Sequence, residues 1–271
     1  MRPAGRFAQG CRDGIMQPSP GRRELEQESR PEMLTASLEI AVAGRKVALQ
    51  VDVPAAPVSP RRILPLVHGL TDVAVQASVD AQSAPVSCTK GCGACCRQLV
   101  PISVVEARAI HALVGEMEEP RRSAVVARFA DACRRTEEAG LGDDLRDFSR
   151  LRGIPEMNAF GMAYFRLGIP CPFLEDESCS IHPERPIACR EYLVTSPPEH
   201  CSAPEQERVE GVVLNRKVSA VINQLGADKS RRFARWVPLI LALDWADSHP
   251  DDLPPRSGVE WLREFFGELA K

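Results

Sequence analysis

The chain has 271 residues, with 34 basic and 37 acidic side chains, a formal charge of −3 and 44% hydrophobic residues. That is ordinary globular composition with ample material for a core. The near-neutral balance and only 5% aromatics exclude the basic footprint and stacking platforms of a nucleic-acid binder.

Residues 1–33 are rich in Gly, Pro, Gln, Glu and Arg and read as a disordered arm, with Met16 and Met33 as alternative starts. The arm has no apolar run of the roughly 7–15 residues that an export signal needs, so the expected location is cytoplasmic. Residues 34–59 read as a β-hairpin and a Pro-rich linker. Leu38, Ile40 and Val42 alternate with polar residues, as do Val47, Leu49, Val51 and Val53, with Gly44-Arg45 between the two runs. A helical pattern follows through Ile63, Leu66, Val67, Leu70, Val73 and Val75. Ser103-Val-Val-Glu106 matches a capping box. Helical patterns then run to about 139, over 143–150 and over 156–167. A loop-rich stretch covers 171–201, with prolines at 172, 183, 186, 197 and 198.

Three helices are expected beyond it, over 208–226, 231–248 and 258–270. In the last, Val259, Leu262, Phe265, Phe266 and Leu269 share a face. The apolar stretch Trp236 to Ala246 is broken by Pro238 and Asp244 and is too short to span a membrane. The predicted fold is mainly α with a small N-terminal hairpin and irregular Cys-rich loops. A helical domain is expected over 60–250, with the C-terminal helix of 251–271 packed on it.

The ten cysteines are the unusual feature. Cys88-x3-Cys92-x2-Cys95-Cys96 forms one cluster. Cys171, Cys179, Cys189 and Cys201 form a second, separated by seven, nine and eleven residues. In a reducing compartment such clusters point to metal rather than to disulfides. Thiolates are soft donors suited to zinc and to iron–sulfur clusters. Gly91 and Gly93 remove bulk and permit positive φ beside the sulfurs. Four thiolates on a dication leave a charge of about −2, and Lys90, Arg97, Arg185 and Arg190 stand near enough in sequence to offset it. Adjacent Cys95 and Cys96 would diverge on extended backbone. Only Cys92–Cys95 has the spacing of a zinc-ribbon pair, which tilts the reading to an iron–sulfur site.

Cys133 lies on an apolar helical face and reads as core. His68, His111 and His249 show no carboxylate partner in sequence, and His200 beside Cys201 is a weak ligand candidate. Lys229, Arg231, Arg232 and Arg235 read as a solvated helix start.

The pattern C-x3-C-x2-C-C, then Cys171-Pro172-Phe-Leu174, Cys179-Ser-Ile181, Arg185-Pro186 and Cys189-Arg190, resembles the YkgJ-type cysteine-cluster family. That family is described as zinc- or iron-chelating and is related to flagellin N-methylases. The resemblance covers about 85–201 and implies a metal site, with a four-iron cluster suggested by the methylase link. His182 stands where the family more often carries Tyr, which offers a nitrogen ligand or a plain loop histidine.

Two enzyme readings compete. Cys88-x3-Cys92-x2-Cys95 has the spacing of radical enzymes that use S-adenosylmethionine, yet Ala94 fills the usual aromatic position and the alternating strands and helices of a barrel are missing. An N-methyltransferase-like reading lacks a G-x-G-x-x-G after a strand. The expected cofactor is thus a [4Fe-4S] cluster, with zinc as the alternative, held by Cys88, Cys92, Cys95, Cys96, Cys171, Cys179, Cys189 and Cys201. With zinc the protein would be a structural interaction module. A protein partner is left open, and neither nucleic acid nor membrane is expected.

Overall fold

In the computed structural model, residues 32–42, 45–225, 236–251 and 253–269 are described. The expected arm over 1–33 lies almost wholly outside them. Alternation in the first segment becomes strands β1 (Met33–Val42) and β2 (Arg45–Pro54), paired antiparallel with Leu38 opposite Leu49. The Pro-rich stretch gives strand β3 (Pro57–Val58) and a 3-10 turn at Pro60–Ile63, where proline supplies its fixed φ. That turn feeds helix α1 (Leu64–Asp80), which buries Leu64, Val67, Leu70 and Val75 on one stripe. Thr71 and Ser78 lie on the same stripe and satisfy their hydroxyls on the carbonyls of Val67 and Ala74, at 2.7 and 2.9 Å.

Strand β4 (Pro101–Ser103) leads into helix α2 (Val104–Gly115). The expected capping box is present. Glu106 N–H donates to the Ser103 hydroxyl at 3.1 Å, and Ser103 N–H donates to the Glu106 carboxylate at 2.8 Å. Helices α3 (Arg121–Glu138), α4 (Gly142–Arg146) and α5 (Ile154–Arg166) follow. Together with α2 and a 3-10 turn at Phe148–Arg150 they gather Val114, Val125, Phe129, Phe148, Phe160 and Tyr164 into the larger core. Cys133 is buried there as expected, its Sγ 3.4 Å from the Ile240 carbonyl.

The second cysteine segment is irregular. Strands β5 (Leu174–Glu175) and β6 (Ser178–Cys179) make a tight hairpin, and helix α6 is one short piece, Ile187–Glu191. The helix expected over 208–226 is not formed as such. Residues 208–217 run alongside 193–196 instead, with Val212 N–H on Leu193 O and Thr195 N–H on Glu210 O, both at 2.8 Å. Only α7 (Val218–Ile222) is helical. Long-range main-chain pairing has overridden an apolar period that helix and strand share.

The expected helix over 231–248 is corrected in the same way. Residues 226–235, with Lys229 and the three arginines, lie outside the described part. Strand β7 (Trp236–Pro238) pairs antiparallel with β4, and helix α8 covers only Ala242–Ser248. Strand β8 (Arg256–Ser257) pairs with β3. Helix α9 (Gly258–Leu269) forms where expected. Its deepest side chain is Trp261, fully buried, whose indole N–H donates to Val58 O at 2.9 Å. A second core joins α1, α6, α7 and α9 through Val67, Leu70, Ile187, Ile222, Trp261 and Phe265. The hairpin foot packs Val51 and Val53 on Leu262.

The fold is mainly α with short antiparallel strand pairs, as the sequence implied. Among the described residues no helix is long and apolar enough to cross a membrane.

Candidate metal centre

The loop carrying the first cysteines is shaped by its two glycines in different ways. Gly91 has φ +88°, a conformation that L side chains rarely adopt. Gly93 has φ −96° and is needed for space instead. A Cβ there would lie 2.5 Å from Glu177 Oε2 and 2.8 Å from Leu174 Cδ1. The β5–β6 hairpin of the second segment thus sits directly on Gly93. Residues Ala94–Arg97 form a 3-10 turn. On that turn the Cys95 and Cys96 side chains hydrogen-bond to one another. The divergence expected for extended backbone is therefore corrected: the turn curls two neighbouring thiols together.

The two segments are stitched by main-chain and charged contacts. Cys171 N–H donates to Cys96 O at 2.7 Å. Arg97 grips Glu177 with both terminal nitrogens, at 3.0 and 2.6 Å. Val194 N–H approaches Cys88 Sγ at 3.4 Å, and the preceding Ser87 N–H donates back to Val194 O at 2.9 Å. The 3-10 turn Pro198–Ser202 packs on the Ala94–Arg97 turn and buries Cys201 to 3% exposure.

Cys189 rides on α6, and the start of that helix is fixed by Glu106. The Ile187 N–H donates to Glu106 Oε1 at 2.8 Å, while Glu106 Oε2 takes the Ser103 N–H and hydroxyl. One buried carboxylate therefore caps two helices. The sequence displayed its first role and gave no sign of the second. Arg190 holds the loop before α6. It pairs with Asp72 of α1 at 2.9 Å and donates to the carbonyls of Arg185 and Pro183.

Electrostatically the thiols form one group. The charge of Cys95 reaches Cys88, Cys96, Cys171, Cys179, Cys189 and Cys201. Cys92 and Cys88 act on Cys201 as well. The hydrogen bond from Cys96 lowers the Cys95 thiol to about 7 and, with burial, raises Cys96. Burial raises Cys88 and Cys179, lifts Cys171 to about 12 and Cys201 to about 11, and pushes Cys189 up further, with neighbouring thiols adding to each. Without a cation these thiols oppose one another's ionisation. A bound metal reverses that relation, and an all-sulfur donor set suits zinc or iron–sulfur chemistry. As the side chains stand, no three His, Cys, Asp or Glu among the described residues meet tightly enough to hold a single ion.

His182 is exposed on the turn His182–Glu184. His200 Nδ1 meets Arg208 O at 2.9 Å. His111 does have a carboxylate partner, Asp247 at 2.9 Å, against the sequence reading. An open cleft of about 720 Å³ runs beside the first loop, with Cys92, Gly93, Arg97, Phe165, Arg166 and Glu205 in its walls.

Residues 87–210, which hold all eight clustered cysteines, match the family model CxxCxxCC. No curated protein and no solved structure matches the chain. Over 87–210, a little under half of its length, the chain is therefore similar to the CxxCxxCC family, whose description reads "Putative zinc- or iron-chelating domain".

Proposed function

We propose that this domain holds an iron–sulfur cluster of the four-iron kind through cysteines of both segments, in the cytoplasm. The observation that carries the reading is the junction of the two cysteine segments, where Cys171 N–H donates to Cys96 O at 2.7 Å and the Pro198–Ser202 turn packs on the Ala94–Arg97 turn. Zinc with four thiolates draws the sulfurs onto one atom at about 2.3 Å each. Only Cys92–Cys95 has the spacing of a zinc-ribbon pair, while the second segment spreads its cysteines at gaps of seven, nine and eleven residues, which favours a centre whose thiolates sit on separate irons.

Cys88, Cys92, Cys95, Cys96, Cys171, Cys179, Cys189 and Cys201 are the ligand candidates. Eight exceed the need of one four-ligand centre, so a second centre or spare thiols accompany the first. The cluster, when bound, supplies electron transfer or an open iron; the chain's own part is to fix the sulfurs and shield them. The cleft beside Cys92 gives a small molecule access to the loop of the first segment.

Single Cys92→Ser and Cys189→Ser variants test the two-segment reading. Each is expected to lose more than half of its iron and sulfide per chain, together with solubility, while Cys133→Ser keeps its iron and sulfide. Full iron and sulfide in both variants would contradict it. A wild type with zinc and no sulfide would replace the cluster by a structural zinc module.

A further inference from the structure

We infer that Arg185 is the charge-compensating residue of the metal centre, acting on sulfurs of both cysteine segments; the inference rests on the metal-binding reading above. Four cations flank the cysteines in sequence, and the structure separates their roles. Lys90 is exposed. Arg97 spends its charge on Glu177, and Arg190 on Asp72. Arg185 has no carboxylate partner among the described residues, and its Nε is buried without a hydrogen-bond partner.

Arg185 is half-buried, and a guanidinium nitrogen buried without an acceptor is costly unless negative charge lies nearby. The charge of Arg185 reaches sulfurs that turn negative when they take up a metal: Cys88 and Cys95 from the first segment and Cys179 from the second. Its backbone is fixed for that role. The Arg185 carbonyl accepts from Arg190 Nε at 3.1 Å, and Arg190 is itself anchored on Asp72. A guanidinium keeps its charge at any working pH, so the compensation is permanent. Four thiolates on a dicationic centre leave about −2, which a fixed neighbouring cation partly neutralises.

The test uses the full chain, purified anaerobically with its centre, and measures the reduction midpoint alongside iron and sulfide content. Arg185→Met is expected to make reduction of the centre about tenfold less favourable, ~59 mV for a one-electron couple. Arg185→Lys keeps a charge and should recover most of that shift. Removing the neutral pair with an Arg97→Gln/Glu177→Gln double variant should move the midpoint less than twofold in equilibrium constant. An Arg185→Met midpoint equal to wild type at full iron and sulfide overturns the inference, as does an equal shift in the double variant.

Where Arg185→Met fails to retain the centre, Arg185→Lys decides. Retention by Lys alone supports the role of charge, and loss in both assigns Arg185 to shape instead. A colourless wild type with zinc and no sulfide ends the cluster reading but not this one. Zinc competition against a chelator then gives the result: about tenfold weaker binding in Arg185→Met supports the inference, and unchanged binding overturns it.

Discussion

Glu106 serves two helix starts with one carboxylate, and its removal separates them. Glu106→Ala leaves the N–H groups of Ser103 and Ile187 buried without their acceptor. Each such group costs about 1–3 kcal/mol, so urea unfolding should show a loss in that range or above, together with weaker metal retention through Cys189. The capping half of this role was legible in Ser103-x-x-Glu106. The Ile187 half was not, because nothing local links a cap on α2 to a peptide far along the chain.

His68 gives a second residue-scale expectation. Burial first, then the Arg190 guanidinium, lowers its pKa to about 4, and Asp72 only partly opposes this. The unfolded ring takes up its proton near pH 6.5, well before the folded one does. The stability tied to the neutral ring is therefore complete above pH 6.5 and is lost as pH falls toward 4. Thermal melts across that window should show wild type losing stability on acidification relative to His68→Gln. Parallel curves would contradict the assignment.

At the scale of elements, the junction of the two cysteine segments turns on Gly93. A Cβ at this position meets Glu177 and Leu174 inside contact distance. Gly93→Ala should therefore push the β5–β6 hairpin away, costing about 1–3 kcal/mol and lowering metal content. Gly91→Ala acts through backbone strain at φ +88° instead.

Elements with strong local signals were legible. The hairpin, α1, the α2 cap and the apolar face of α9 follow from alternation, spacing and a capping motif. Residues 208–217 and 236–238 were not, since their strand-like pairing depends on 193–196 and on Pro101–Ser103, distant in sequence. The eight cysteines could be singled out by spacing alone. The approach of their two segments at the 3-10 turn Ala94–Arg97 could not, because it rests on contacts between residues far apart in sequence.

At the scale of the whole molecule, two cores flank the cysteine loops. One is built on α2, α3 and α5, the other on α1, α7 and α9. Trp261 anchors the second core, with Arg256 stacked over its ring at 4.6 Å. Trp261→Ala should cost about 3–5 kcal/mol, read as a lower denaturation midpoint. Metal content in the folded fraction should not change, since the indole lies in the core and not among the thiols. Metal binding would tie residues 88–96 to 171–201, so its free energy counts as folding energy. A chelator should therefore lower the melting temperature of wild type and have no further effect on a metal-free cysteine variant.

The central claim is that sulfurs of both segments hold an iron–sulfur cluster. It is tested most directly on protein purified anaerobically without a metal-affinity tag, by an absorption spectrum and by iron, zinc and sulfide analysis of one sample. The account predicts a brown protein with broad absorption in the visible and iron and sulfide in equal amounts. A colourless protein with zinc and no sulfide would contradict it.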